Sequence, residues 1–155
     1  MDESHKLQEE FDSLKVDLIA KHNELGMKAS GNWRDSLNVE AKGLTAAIYG
    51  ENYTEQLVEG QAPGKFPPIA AITQWIEDKG ITPFDSISIS SLAFLIARKI
   101  AKSGTQYYQD GGTELVSAVI TPQRIQQIID NVSEFSINNF YSQITKVLED
   151  IKIAA

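Results

Sequence analysis

The sequence contains no cysteine. Disulfides, thiolate nucleophiles, cysteine-zinc sites and iron–sulfur clusters are all excluded, and the absence fits a reducing compartment. Histidine is nearly as scarce. His5 and His22 are the only two, and they form neither an i, i+4 metal pair nor an H-E-x-x-H motif. Basic residues are outnumbered, with 14 Lys and Arg against 21 Asp and Glu, a formal charge of −7. An electrostatic grip on bare nucleic acid needs clustered cations. Arg98, Lys99 and Lys102 form the only such cluster, read as a solvated helix face. No apolar run approaches the roughly 18 residues of a membrane span. The acidic start Met1-Asp2-Glu3-Ser4 leads into no apolar core, so no signal peptide is expected. Two glycosylation sequons, at Asn52 and Asn131, read as chance matches in that setting.

What is present suits one globular domain over residues 1–155, since 42 % hydrophobic and 23 % charged residues are ordinary values. The expected organisation is an N-terminal helix over 1–28, an α+β core over 29–120 and a C-terminal helical region over 121–155. Leu7, Phe11, Leu14, Leu18 and Leu25 recur at helical spacing, and Gly26 lies near the stop. Residues 32–49 read as a β-hairpin. Trp33, Leu37 and Val39 share one strand face with Asp35 as an exception, Lys42-Gly43 makes the turn, and Leu44, Ala46 and Ile48 line the second strand. Tyr53–Gly60 fits either a helical turn or an extended segment. Gly60–Pro68 is a loop, after which Pro67-Pro68 starts a helix carrying Ile69, Ile72, Trp75 and Ile76 and capped by Gly80.

The segment Ile81–Ile89 is a connector with alternating Ile87 and Ile89, and Ser90 or Ser91 is the expected cap of the next helix. There Leu92, Ile96 and Ile100 repeat every four residues beside small Ala93, Ala97 and Ala101, up to Gly104. Residues 104–113 form a polar loop, and Glu114–Ile120 reads as a strand. Thr121-Pro122 opens a final helix, whose stripe slips register near Asn138-Asn139. That slip implies a kink, two helices or one long helix. A continuous helix of about 30 residues would run roughly 45 Å, long enough to leave an arm. The fold class is α+β: a small antiparallel sheet packed by helices, with N-terminal and long C-terminal helices.

Catalytic constellations are hard to assemble. Pro63-Gly64-Lys65-Phe66 fails as a phosphate loop, because Gly60 stands four residues before Gly64 and Phe66 replaces the hydroxyl that would hold magnesium. The acidic pairs Asp12/Asp17, Glu77/Asp78 and Glu149/Asp150 read as solvated helix faces. Glu59, between Val58 and Gly60, is either a general base or a carboxylate bound to loop amides or a nearby cation. Trp33 and Trp75 are each either core residues or interface anchors. No catalytic residue, metal or cofactor is expected.

A string of features joins these pieces: Trp33-Arg34-x-Ser36-Leu37, the hairpin, Tyr53, Val58-Glu59-Gly60, Ile72-x-x-Trp75-Ile76-x-x-Lys79-Gly80, and Ala97-Arg98-Lys99-Ile100-x-x-x-Gly104-Thr105. Over roughly residues 28–108 this resembles a family of small tailed-bacteriophage proteins, the tail-completion, neck or minor tail components of the head–tail junction. The resemblance implies helices on a small antiparallel sheet and assembly into a homo-oligomeric ring touching portal, neck or tail-tube proteins. It also implies a virion location, assembly in the host bacterial cytoplasm and passage of DNA without specific binding. The partner interface is expected on the loop, at Glu59, Gly60, Pro63, Gly64, Lys65, Phe66 and Pro67, and on Trp75. Deleting Gln61–Lys65 is then expected to spare the fold and abolish joined particles. The rival reading is a non-enzymatic bacterial adaptor that binds a peptide in a groove near Trp75 and Phe94.

Overall fold

The computed structural model describes residues 2–154, with side chains to Ile151. The fold is α+β. In chain order the elements are α1 (Glu3–Glu24), α2 (Asn32–Ser36), β1 (Asn38–Lys42), β2 (Thr45–Tyr49), α3 (Thr54–Glu59), α4 (Ile69–Lys79), α5 (Ile89–Ser103), α6 (Gln106–Gln109) and α7 (Pro122–Ala154). The strands β1 and β2 form a two-stranded antiparallel sheet. Among the described residues no helix is long and apolar enough to cross a membrane. The chain divides into two compact units. One holds residues up to Val16, Val39–Ile48 and residues from Ile120 on. The other holds Asp17–Asn38 and Tyr49–Val119.

In the first unit, the Asp2 carboxylate accepts from the His5 amide at 2.9 Å and so starts α1. The hairpin is tied to α1 where Ser4 Oγ donates to the Ala41 carbonyl at 3.1 Å. Thr121 Oγ1 accepts from the Arg124 amide at 3.1 Å, with Pro122 at the first helical position, as the sequence predicts for α7. The helix is continuous through Asn138-Asn139 for 33 residues, about 50 Å at 1.5 Å per residue. It runs antiparallel to α1. Arg124 donates to Ser13, Asn131 donates to Glu10, and Ser136 lines a shallow depression with Asp2, Glu3 and Ser4. Leu7, Leu14 and Ile128 are the buried apolar side chains here.

The second unit is built on α4 and α5. Ile72 and Ile76 of α4 pack with Leu92, Ala93 and Ala97 of α5, bordered by Ile69, Ile96 and Ile100. Ala93 and Ala97 are wholly buried, so the missing bulk lets the two helices approach closely. Gly80 and Ile81 donate to the Glu77 and Ile76 carbonyls, the paired bonds of a Schellman end, and Gly26 and Met27 close α1 the same way.

Several local expectations are corrected. Residues 32–36 are helical rather than extended, because Trp33 and Leu37, four residues apart, are both buried while Asp35 is exposed. The hairpin therefore starts at Asn38, and Leu44 sits in its turn, exposed, rather than in the second strand. Pro68 caps α4 instead of occupying its first turn. Ser88, not Ser90 or Ser91, caps α5. The connector before it is a tight turn, with Ile87 donating to the Phe84 carbonyl across Asp85 and Ser86, both at positive φ. Glu114–Ile120 forms no strand. Ala118 bonds back to Glu114 and Val119 to Val116, a string of turns anchored by the fully buried Leu115.

Candidate protein-binding surface

The loop after α3 lies in the second unit, and its first half is clasped. Gln61 donates its amide to Thr105 Oγ1 at 2.9 Å, and the Thr105 amide returns a bond to the Gln61 carbonyl at 2.9 Å. Three residues on, the Gly64 amide reaches the Ala101 carbonyl at 2.9 Å, filling one of the acceptors left open at the end of α5. The end of α3 is tied as firmly. Thr113 donates its amide to Val58 O and its hydroxyl to Leu57 O, each at 2.7 Å.

Two glycines make this clasp possible. Gly60 (φ 78°, ψ −177°) and Gly104 (φ 77°, ψ 175°) occupy a backbone region essentially reserved for glycine. A Cβ on Gly60 would stand 2.2 Å from the Tyr108 amide nitrogen, and one on Gly104 2.7 Å from the Gln61 carbonyl oxygen. Each glycine thus lets the other's loop approach. Gln61–Lys65 is accordingly not a dispensable projection: deleting it would remove the clasp that holds the ends of α3 and α5.

The second half of the loop presents apolar surface. Phe66 is 50 % exposed, and its ring lies 5.7 Å from that of Phe94, itself 47 % exposed on α5. Trp75, on α4 between buried Ile72 and Ile76, is 42 % exposed. Tryptophan and phenylalanine on rigid supports are the side chains that anchor protein interfaces. Glu59, Pro63, Gly64 and Lys65 are exposed, while Gly60 and Pro67 are half-buried. Of the residues expected at the interface, the structure therefore makes Gly60 and Gly64 supports of the loop, and it pairs Phe66 with Phe94.

The two tryptophans, equivalent in the sequence, separate by environment. Trp33 is buried. Its ring stacks on His22 at 4.5 Å, and its indole N–H donates to Thr54 Oγ1 at 3.0 Å. Burial pushes the His22 imidazole below its ordinary pKa, and the nearby Lys79 ammonium adds to the effect against a hydrogen bond with Asn23. Lys79 is itself held by a hydrogen bond to the Gly26 carbonyl. His22 is thus a neutral packing partner of the core tryptophan. No group of three or more potential metal ligands is present among the described residues. No family model, no curated protein and no solved structure matches the chain.

Proposed function

We propose that this chain is a non-catalytic assembly protein that docks on other proteins through Phe66, Phe94 and Trp75. The observation that carries the reading is the half-exposed Phe66–Phe94 pair, with Phe66 on the loop that the Gly60–Gly104 clasp holds and Phe94 on α5. A preorganised apolar anchor loses little freedom on binding, which favours affinity. Together with the resemblance over residues 28–108, this supports reading the protein as a tail-completion or neck component of a tailed bacteriophage head–tail junction, acting in a homo-oligomeric ring and contacting portal, neck or tail-tube proteins.

The test is the double variant Phe66→Ser with Phe94→Ser, introduced into the phage's own gene. Both side chains are half-exposed, so the protein is expected to fold with its thermal transition retained while heads and tails accumulate unjoined. Wild-type numbers of tailed particles would remove the proposal. The rival adaptor would hold a peptide near Trp75 and Phe94. Neighbouring capsid, portal and tail genes separate the two readings.

A further inference from the structure

The two segments that build the aromatic pair carry charge of one sign. Residues 60–68 and 89–105 hold Lys65, Arg98, Lys99 and Lys102 and no Asp or Glu. They therefore carry +4, while the other 10 cations and 21 anions leave −11 on the rest of the chain. All four cations are exposed. Among the described residues none of the four enters an ion pair.

Their placement ties them to the aromatic pair. Phe94, Arg98 and Lys102 follow one another at four-residue spacing, so they share one face of α5. Leu95, 47 % exposed, lies beside them. The opposite face is taken by Leu92, Ala93 and Ala97, which pack with Ile72 and Ile76 of α4. The loop is held against α5 at two points: the Gly64 amide bonds the Ala101 carbonyl, and the Phe66 ring meets that of Phe94. Lys65 stands between those two ties. Arg98 and Lys102 repel each other at this spacing, and neither segment supplies an acid to relieve it.

We infer that the partner docked on Phe66 and Phe94 presents an acidic segment with an apolar anchor, its carboxylates meeting Lys65, Arg98, Lys99 and Lys102. The inference rests on the docking reading above and adds the partner's chemistry to it. Apolar contact supplies the hold, and opposite charge beside it supplies register and a faster encounter. A basic partner would set like charges against each other next to the anchor. A long nucleic acid fits less well. The Debye length is about 8 Å at physiological salt. A short acidic segment therefore feels the local +4, whereas a duplex extends over the acidic remainder of the chain.

Synthetic peptides test charge separately from docking. A labelled peptide of about 12 residues, glutamates around two leucines, is titrated with the full chain and followed by fluorescence anisotropy. Its affinity is expected to fall at least about tenfold between roughly 50 and roughly 500 mM salt. The same leucines set among lysines are expected to bind at least about tenfold more weakly at the lower salt. Arg98→Glu with Lys102→Glu, both at exposed positions, should keep the thermal transition and reverse that order. Phe66→Ser with Phe94→Ser should remove binding of both peptides. Equal binding of the acidic and basic peptides overturns the inference and leaves apolar docking standing. An acidic peptide that does not bind by about 100 µM also overturns it, whereas the count of tailed particles judges docking by itself. Binding of a labelled oligothymidine in place of the acidic peptide would overturn it too, and give the patch to nucleic acid.

Discussion

Among the described residues, His22 is the buried side chain with polar or charged character, and its environment makes stability depend on pH. Its folded pKa lies below the ordinary value of 6.5, because burial and then Lys79 disfavour the imidazolium. Between the two values the unfolded chain binds a proton that the folded chain does not, so stability falls as pH drops through 6.5 and levels off below the folded pKa. Carboxylates elsewhere also titrate toward acid, so the signal must be isolated by difference. Replacing His22 with Phe keeps a ring against Trp33 and removes the titration. Urea midpoints of both proteins, from about pH 7.5 down to about pH 5, should show the wild type losing ground to His22→Phe on the acid side. A constant difference across that range would mean His22 titrates as it does in the unfolded chain.

At the scale of elements, what holds the candidate surface is the closure between the loop after α3 and the segment joining α5 to α6. Gly60→Ala tests it, since the new Cβ would press on the backbone of Tyr108. A side chain in this glycine-reserved backbone region (φ 78°, ψ −177°) costs on the order of 1–3 kcal/mol before any clash is counted. A loss of more than about 2 kcal/mol by urea denaturation is therefore expected, and a loss below about 0.5 kcal/mol would show that the loop yields and does not act as a rigid mount. The same closure marks what the sequence can tell. The stops of α1 and α4 at Gly26 and Gly80, and the start of α7 at Thr121-Pro122, were legible because a cap is decided within a few residues. That Gly60 meets Tyr108 was not, because nothing local links positions so far apart. Trp33 and Leu37 were misread as strand, although their i, i+4 spacing with Asp35 between them already fits a helix. The strand expected over Glu114–Ile120 rested on β-branched residues alone, and a strand needs a partner edge that composition cannot supply. For the candidate site, Phe66, Trp75 and Phe94 were visible as residue types, whereas their exposure and the Phe66–Phe94 pairing depend on the fold.

At the scale of the whole molecule the governing quantity is charge. With 14 cations against 21 anions, the chain repels a polyphosphate at long range. The opposing feature is local, for Arg98, Lys99 and Lys102 stand exposed on α5. Three cations engaging three phosphates would give an affinity falling with salt at a slope of about −2.7 in log–log form. Under the proposed head–tail reading DNA would slide through the ring, and such a hold would oppose its passage. Fluorescence anisotropy with a labelled duplex at roughly 50 mM salt is therefore expected to show no binding up to about 100 µM protein. Binding with the slope of three phosphates, abolished by Arg98→Glu with Lys99→Glu, would assign the α5 cluster to nucleic acid and count against passive DNA passage. Because that cluster and the Phe66–Phe94 pair sit on different residues, the same double variant should weaken docking of an acidic partner without removing the apolar anchor. Loss of all docking would mean that α5 itself had been disturbed, which the thermal transition would report.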